Sequence, residues 1–211
     1  SEMCIRDRYN VLVVSDEIHC DLTYGNSYTP FASISPEIAQ NSITCIAPTK
    51  TFNLAGVQSS NIIVPNDEIR RMVNRGINTD EVAEPNAFAI EATIAAFTKG
   101  EPWLNELIEY LAENKRVVQK FIHNELPSLN LIHSDATYLL WIDCSSITKD
   151  SLEFCKFIRK ETGLYVSSGH VYGSNGGHFI RMNIACQRER VEDGLSRLKA
   201  VSYTHLRAHE T

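Results

Sequence analysis

Three short stretches place reactive side chains just beyond, or within, strand-like runs. Ser15-Asp16-Glu17-Ile18-His19 follows directly on the apolar run Val11-Leu12-Val13-Val14. In open α/β sheets ligands bind beyond the carboxyl ends of strands, so acids there have the address of a site. The same carboxylates could instead cap the turn that follows. Ala47-Pro48-Thr49-Lys50-Thr51-Phe52-Asn53-Leu54-Ala55-Gly56 comes after a second run, Ile43-Thr44-Cys45-Ile46. A lysine held in a turn of small and apolar residues can have its pKa lowered and trap a carbonyl; an exposed loop lysine is the commoner fate. Gly176-Gly177-His178-Phe179-Ile180-Arg181-Met182-Asn183 sets Arg181 inside an apolar strand. A guanidinium there needs an anion, either a ligand carboxylate or an internal Asp or Glu.

The elements that must position these groups follow from periodicity. The runs at 11–14 and 43–46 are short, β-branched and bounded by polar residues, as expected of buried parallel strands. A third run, Asn61-Ile62-Ile63-Val64, ends at Pro65-Asn66. Asn66 is placed to cap a helix whose buried stripe is Ile69, Met72 and Val73, closing at Gly76. Residues 86–98 are alanine-rich and helical, closed by Gly100. Pro102 opens the longest helix: Leu104, Leu107, Ile108 and Leu111 form a stripe that Val118, Phe121 and Ile122 resume after a polar stretch. Beyond Pro127 the pattern becomes α+β, with a strand at Tyr138–Ile142, a helix from Asp150 to Lys160, strands near Leu164–Val166 and Phe179–Ile184, and a last helix carrying Val191, Leu195 and Leu198. An α/β part at residues 9–115 and a smaller α+β part at 116–200 are therefore expected.

The 211 residues carry 43% hydrophobic and 22% charged residues, ordinary globular values that exclude disordered and collagen-like classes. No apolar run reaches the roughly 18–20 residues of a membrane helix. A net charge of −6 argues against nucleic-acid binding through bulk charge. The six cysteines show no C-x-x-C pair and no ligand spacing with histidine, which points to no metal and to a reduced, cytoplasmic compartment. Residues 1–8 and 201–211 fit neither neighbouring pattern and read as non-native tails. Each change of charge they bring cancels: Arg6, Arg8 and Arg207 against Glu2, Asp7 and Glu210.

Taken in order, an acid after one strand, a lysine after the next and a strand arginine near the C-terminus resemble the pyridoxal-phosphate enzymes of the aspartate aminotransferase fold (fold type I). Residues 15–22 (SDEIHCDL), 47–60 (APTKTFNLAGVQSS), 84–86 (EPN), 100–114 (GEPWLNELIEYLAEN), 136–144 (ATYLLWIDC) and 179–186 (FIRMNIAC) are similar, more narrowly, to the carbon–sulfur β-lyases of the cystathionine β-lyase type, the MalY/PatB group. The likeness spans about residues 10–200. It implies an α/β fold comprising the C-terminal part of a large cofactor domain and an α+β small domain, with pyridoxal 5'-phosphate as cofactor. By the same likeness Lys50 binds the cofactor aldehyde and later takes the substrate α-proton, and Asp16 pairs with the pyridinium nitrogen. His19 lies toward the ring's phenolic oxygen, Thr49 near the phosphate, and Arg181 grips the substrate carboxylate.

Two departures bear on the reaction. Aminotransferases of this fold usually carry a phosphate-binding serine three residues before the lysine and an arginine eight residues after it; here these are Ala47 and Gln58. The resemblance thus implies α,β-elimination from L-cystathionine or a related cysteine thioether, giving thiol, pyruvate and ammonia. An aminotransferase on the same scaffold is the competing enzyme, and binding of a transcriptional regulator is a reading of another class. Members of the group begin well upstream of the Asp16 strand and share sites across a homodimer, so the chain is expected to be a C-terminal fragment that is not competent alone.

Overall fold

The structure, a computed structural model, describes residues 11–25 and 27–209, with side chains through Ser202. The expected tail at 1–8 lies outside the described residues, as do residues 210–211. The chain divides into two compact units, the first ending at Glu106 and the second starting at Leu107. That division falls within the longest helix, ahead of the boundary expected from the sequence.

In the first unit, strands β1 (Val13–Asp16), β2 (Ser42–Ile46) and β3 (Asn61–Ile63) form a sheet of order β1-β2-β3. β1 and β2 are parallel, with Val14 opposite Ile43 and Asp16 opposite Cys45. Their crossover contains a short helix α1 (Pro36–Gln40), whose Ser35 N-cap accepts from Ile38 N at 3.2 Å. One helical turn, α2 (Pro48–Thr51), follows β2. Helix α3 (Asp67–Thr79) starts as expected, with Asn66 Oδ1 accepting from the N–H groups of Glu68 (2.9 Å) and Ile69 (3.1 Å). It continues through Gly76, since one glycine weakens a helix without ending it. Helix α4 (Ala89–Lys99) ends at Gly100.

Three expectations for this unit need correction. The run at 11–14 is not buried: Val11 and Leu12 precede β1, and Val14 is 63% exposed. Among the described residues β1 is an edge strand, hydrogen-bonded on one side only. β3 runs antiparallel to β2, with Ile62 and Ile63 exposed. The α3 stripe is not a core face, because no residue of that helix is buried and Met72 is 68% exposed. An amphipathic pattern defines a face that can be buried; it does not supply the layer that buries it.

Helix α5 (Glu101–Glu125) leads into the second unit. There β4 (Asn130–Leu131), β5 (Leu139–Asp143), β6 (Ser167–Ser168) and β7 (Phe179–Asn183) form an antiparallel sheet of order β4-β5-β7-β6. The two-residue β4 was not anticipated, and the strand expected at Leu164–Val166 starts only at Ser167. Helix α6 (Ser151–Thr162) is capped by Asp150, whose Oδ1 accepts from Leu152 N and Glu153 N. Helix α7 (Arg188–His209) carries Val191, Leu195 and Leu198, all fully buried as expected. These meet Leu140, Ile142, Ile180 and Phe154 in one continuous core.

The pattern break expected at residue 201 is not a break in the helix. Val201, three residues after Leu198, extends the buried stripe, and Ser202 Oγ donates to the Leu198 carbonyl at 2.8 Å. The polar stretch of α5 is also structural. Its Asn114 is fully buried, donating to the carbonyls of Ile184 (3.0 Å) and Cys186 (3.1 Å) and accepting from Arg188 Nε (3.2 Å).

Candidate functional site

Parallel pairing gives β1 and β2 a common carboxyl edge, and the two reactive stretches of the first unit leave from it. Asp16 is the last residue of β1, exposed, with Oδ1 accepting from Ile18 N at 3.2 Å. The turn-capping role of this acid is therefore present, and it uses one carboxylate oxygen. The negative charge of Asp16 also reaches its register partner: burial first, then Asp16, push the Cys45 thiol above its ordinary value.

Lys50 lies in α2, which Ala47 precedes with no side-chain cap and Pro48 opens. Proline suits the first helical position because its missing N–H would have no intrahelical partner there. Lys50 is exposed and makes no ion pair among the described residues, while Thr49 is half-buried beside it. Around the lysine the turn is anchored. Thr51 is fully buried and donates to Asp21 Oδ2 at 3.1 Å, tying the lysine turn to the loop after β1. Phe52 meets Phe97 edge-on and Trp103 at a tilt, both with centroids 5.9 Å apart. It also covers Gly100, where a Cβ would fall 2.4 Å from both the Phe52 ring and the Ala96 carbonyl oxygen. Gly100 thus serves close approach rather than an unusual backbone conformation.

His19 sits half-buried in the loop after β1. That loop is organised by Glu17, a residue the sequence reading left as a possible cap. Glu17 is buried, and its Oε1 accepts from Ser15 Oγ and Phe31 N, each at 2.9 Å. Its backbone N–H donates to the Cys45 carbonyl at 2.8 Å, extending the β1–β2 pairing by one bond. Burial, then the charges of Asp21 and Glu17, push the Cys20 thiol up to about 11, so it is a neutral packing group. The signal for Glu17 was the second of two adjacent acids, of which alternation turns one away from the edge.

Beyond the lysine, Gln58 takes a left-handed conformation at the end of the turn Ala55–Val57. Asn86 of the EPN segment donates to the Val57 carbonyl, and its Oδ1 accepts from Phe88 N at 3.0 Å. The EPN motif therefore fixes the far end of the lysine loop, a role its composition alone did not reveal. Asp16, His19, Thr49 and Lys50 thus share one sheet edge of the first unit.

Arg181 belongs to the second unit. It lies mid-strand in β7 between Trp141 of β5 and Ser167 of β6, and among the described residues it makes no ion pair. Asp143, opposite Phe179, shares its face of the sheet, but no Asp or Glu pairs with Arg181 among the described residues. Its guanidinium instead lies over the Tyr172 ring, 4.5 Å from the centroid.

The chain belongs to the aminotransferase class I and II family, which it matches over residues 3–198. It is 41% identical over 200 residues to cystathionine beta-lyase PatB of Bacillus subtilis, covering 94% of this chain and 51% of that protein. Among solved structures, the pyridoxal-phosphate-bound C–S lyase of Staphylococcus hominis superposes with a TM-score of 0.86 at 34% identity, over 95% of this chain and 52% of that one. Cystalysin of Treponema denticola, which contains a pyridoxal 5'-phosphate cofactor, gives 0.91 at 29% identity, over 96% and 52%. The fold is thus the fold type I α/β architecture expected, and the chain spans about half the length of these relatives.

Proposed function

We propose that this chain is the lysine-bearing part of a pyridoxal-phosphate-dependent carbon–sulfur β-lyase acting on L-cystathionine or a related cysteine thioether. The observation that carries the reading is the shared carboxyl edge of β1 and β2, which holds a lysine amine that makes no ion pair among the described residues and an exposed carboxylate. An aldehyde-bearing pyridinium needs those two groups, so the donor set fits the cofactor. The 41% identity to a cystathionine beta-lyase across nearly the whole chain supports the reaction, as does Gln58 where aminotransferases of this fold place a phosphate-binding arginine.

When bound, the cofactor supplies an electron sink for negative charge developing at the substrate Cα. Asp16 would pair with the ring nitrogen and keep it protonated, and His19 would serve the ring's phenolic oxygen. Thr49 serves the phosphate. Lys50 Nζ would accept the substrate α-proton. Arg181 would bind the substrate α-carboxylate through its N–H edge. The Cβ–S bond then breaks with its electron pair leaving on sulfur. The aminoacrylate that remains takes up water to give pyruvate and ammonia.

The active species in this reading is a homodimer of the longer protein, in a reducing, cytoplasmic setting consistent with the five cysteines among the described residues, all free. Among the described residues no helix is long and apolar enough to cross a membrane. Neither nucleic acid nor a metal enters the reaction proposed. The isolated 211-residue chain neither holds the cofactor tightly nor turns over. Assay of the full-length protein with L-cystathionine tests the reading: stoichiometric thiol and pyruvate support it, whereas amino transfer to a keto acid without pyruvate assigns it to the aminotransferases. A Lys50→Ala protein that loses turnover yet still retains a regulatory protein partner would reveal an additional binding role.

A further inference from the structure

We infer that Tyr172 is a positioning residue that holds the Arg181 guanidinium ready for a carboxylate, and so sets substrate affinity without entering the chemistry. The inference rests on the proposed role of Arg181 and concerns the second unit alone. Among the described residues Arg181 makes no ion pair, Asp143 on the same sheet face accepting from Ser145 N instead, and the guanidinium has aromatic neighbours. Tyr172 covers its face at 4.5 Å, within the range of a cation–π contact. Trp141, directly across the strand from Arg181, stacks on Phe179 at 5.3 Å and 17°, and meets Tyr172 edge-on at 5.5 Å and 71°. Two aromatic side chains therefore support the ring that supports the guanidinium. A guanidinium stacked on one face keeps its N–H edge for bidentate, in-plane bonds to a carboxylate. A cavity of about 420 Å³ opens beside Arg181, with Tyr172, Ser167 and Ser168 in its wall.

Tyr172 is itself held by a closed loop. It ends the turn Gly169–Tyr172, and a second turn, Ser174–Gly176, brings the chain back. Gly169 and Gly176 touch backbone to backbone: a Cβ on the first would fall 2.2 Å from the Gly176 oxygen, and one on the second 1.9 Å from the Gly169 oxygen. The loop is pinned at its base by Ser151 Oγ and Ser168 Oγ, 2.9 Å apart and buried, and by the Ser151 N–H donating to the Gly177 carbonyl at 2.8 Å. The glycine-rich run 169–177 is thus a device for placing one tyrosine over one arginine.

The test is steady-state kinetics of the full-length holoenzyme with L-cystathionine, paired with the Arg181 Nε–H resonance of the 211-residue chain. Tyr172→Leu should raise KM roughly two- to fivefold, the loss expected of a cation–π contact to a half-exposed tyrosine, with kcat within about twofold because the reacting atoms are untouched. Tyr172→Phe keeps the ring and should restore wild-type KM. In the chain, Tyr172→Leu should shift the Arg181 Nε–H signal downfield by removing the ring current. A Tyr172→Leu enzyme with unchanged KM, or with kcat and KM falling together, overturns the inference, as does failure of Tyr172→Phe to rescue. Arg181→Gln separates the two layers. If it raises KM strongly while Tyr172→Leu does not, only the positioning role falls; if Arg181→Gln leaves KM unchanged, the carboxylate reading of Arg181 falls with it.

Discussion

In the second unit, apolar residues on one sheet face and on three helices all find each other: Ile142, Ile180, Phe154 and Leu195 are fully buried. In the first, residues of the same kind stand open, Val14 on β1, Ile62 and Ile63 on β3, and Met72 on α3. Hydrophobicity is not what differs. The second unit has helices over its antiparallel sheet within its own sequence, whereas the first has a parallel pair of which β1 is an edge. Parallel sheets are stable when both faces are covered, so the first unit is built to receive further layers. Its reactive residues are held by side-chain and backbone hydrogen bonds around the carboxyl edge rather than by a deep core.

That contrast can be broken by mutation. Phe154→Ala, in the second core, should lower stability by about 3–5 kcal/mol, whereas Met72→Ala in the first unit should change it by less than about 0.5 kcal/mol. Urea unfolding of the two variants measures both, and equal losses would erase the distinction. Asn114→Ala strands the buried carbonyls it serves and should lose about 1–3 kcal/mol, with Asn114→Asp no rescue because a carboxylate cannot donate to them. Gly100→Ala should cost about 1–3 kcal/mol through displacement of Phe52, and should alter Trp103 fluorescence, since Phe52 lies against that ring. The smallest effect is in pH. Hydrogen bonds from Glu153 N and then Leu152 N, with His170 nearby, hold Asp150 below its ordinary carboxylate value. A depressed folded-state pKa adds stability that is present above the unfolded value and lost as pH falls through the folded one. Thermal unfolding of wild type and Asp150→Ala should therefore differ at neutral pH and converge below about pH 4.

Much of the architecture was legible in the sequence, and the misses share a cause. Val191, Leu195 and Leu198 were read correctly because their partners lie within the same unit. Asn66 and Asp150 were identifiable as caps because capping is local. The runs at 11–14 and 61–64 announced strands but not their surroundings, so burial, and the direction of β3, were misjudged. Asn114 lies in the polar stretch of α5, and nothing near it in sequence marks its role because its acceptors are carbonyls some 70 residues distant. At the candidate site, Asp16 and Lys50 were visible from their position after strands. Glu17, Thr51 and Asn86 were not, since each acts through a hydrogen bond to a distant loop. Tyr172 was hidden for a similar reason: only the fold shows that the glycine loop returns it to Arg181.

The central claim is that Lys50 is the amine that meets the cofactor. Its most direct test is borohydride trapping of pyridoxal 5'-phosphate on the full-length protein, followed by peptide mapping. The account predicts one covalent label, on Lys50, that disappears in Lys50→Ala. A label on another lysine, or one that persists in Lys50→Ala, would contradict it.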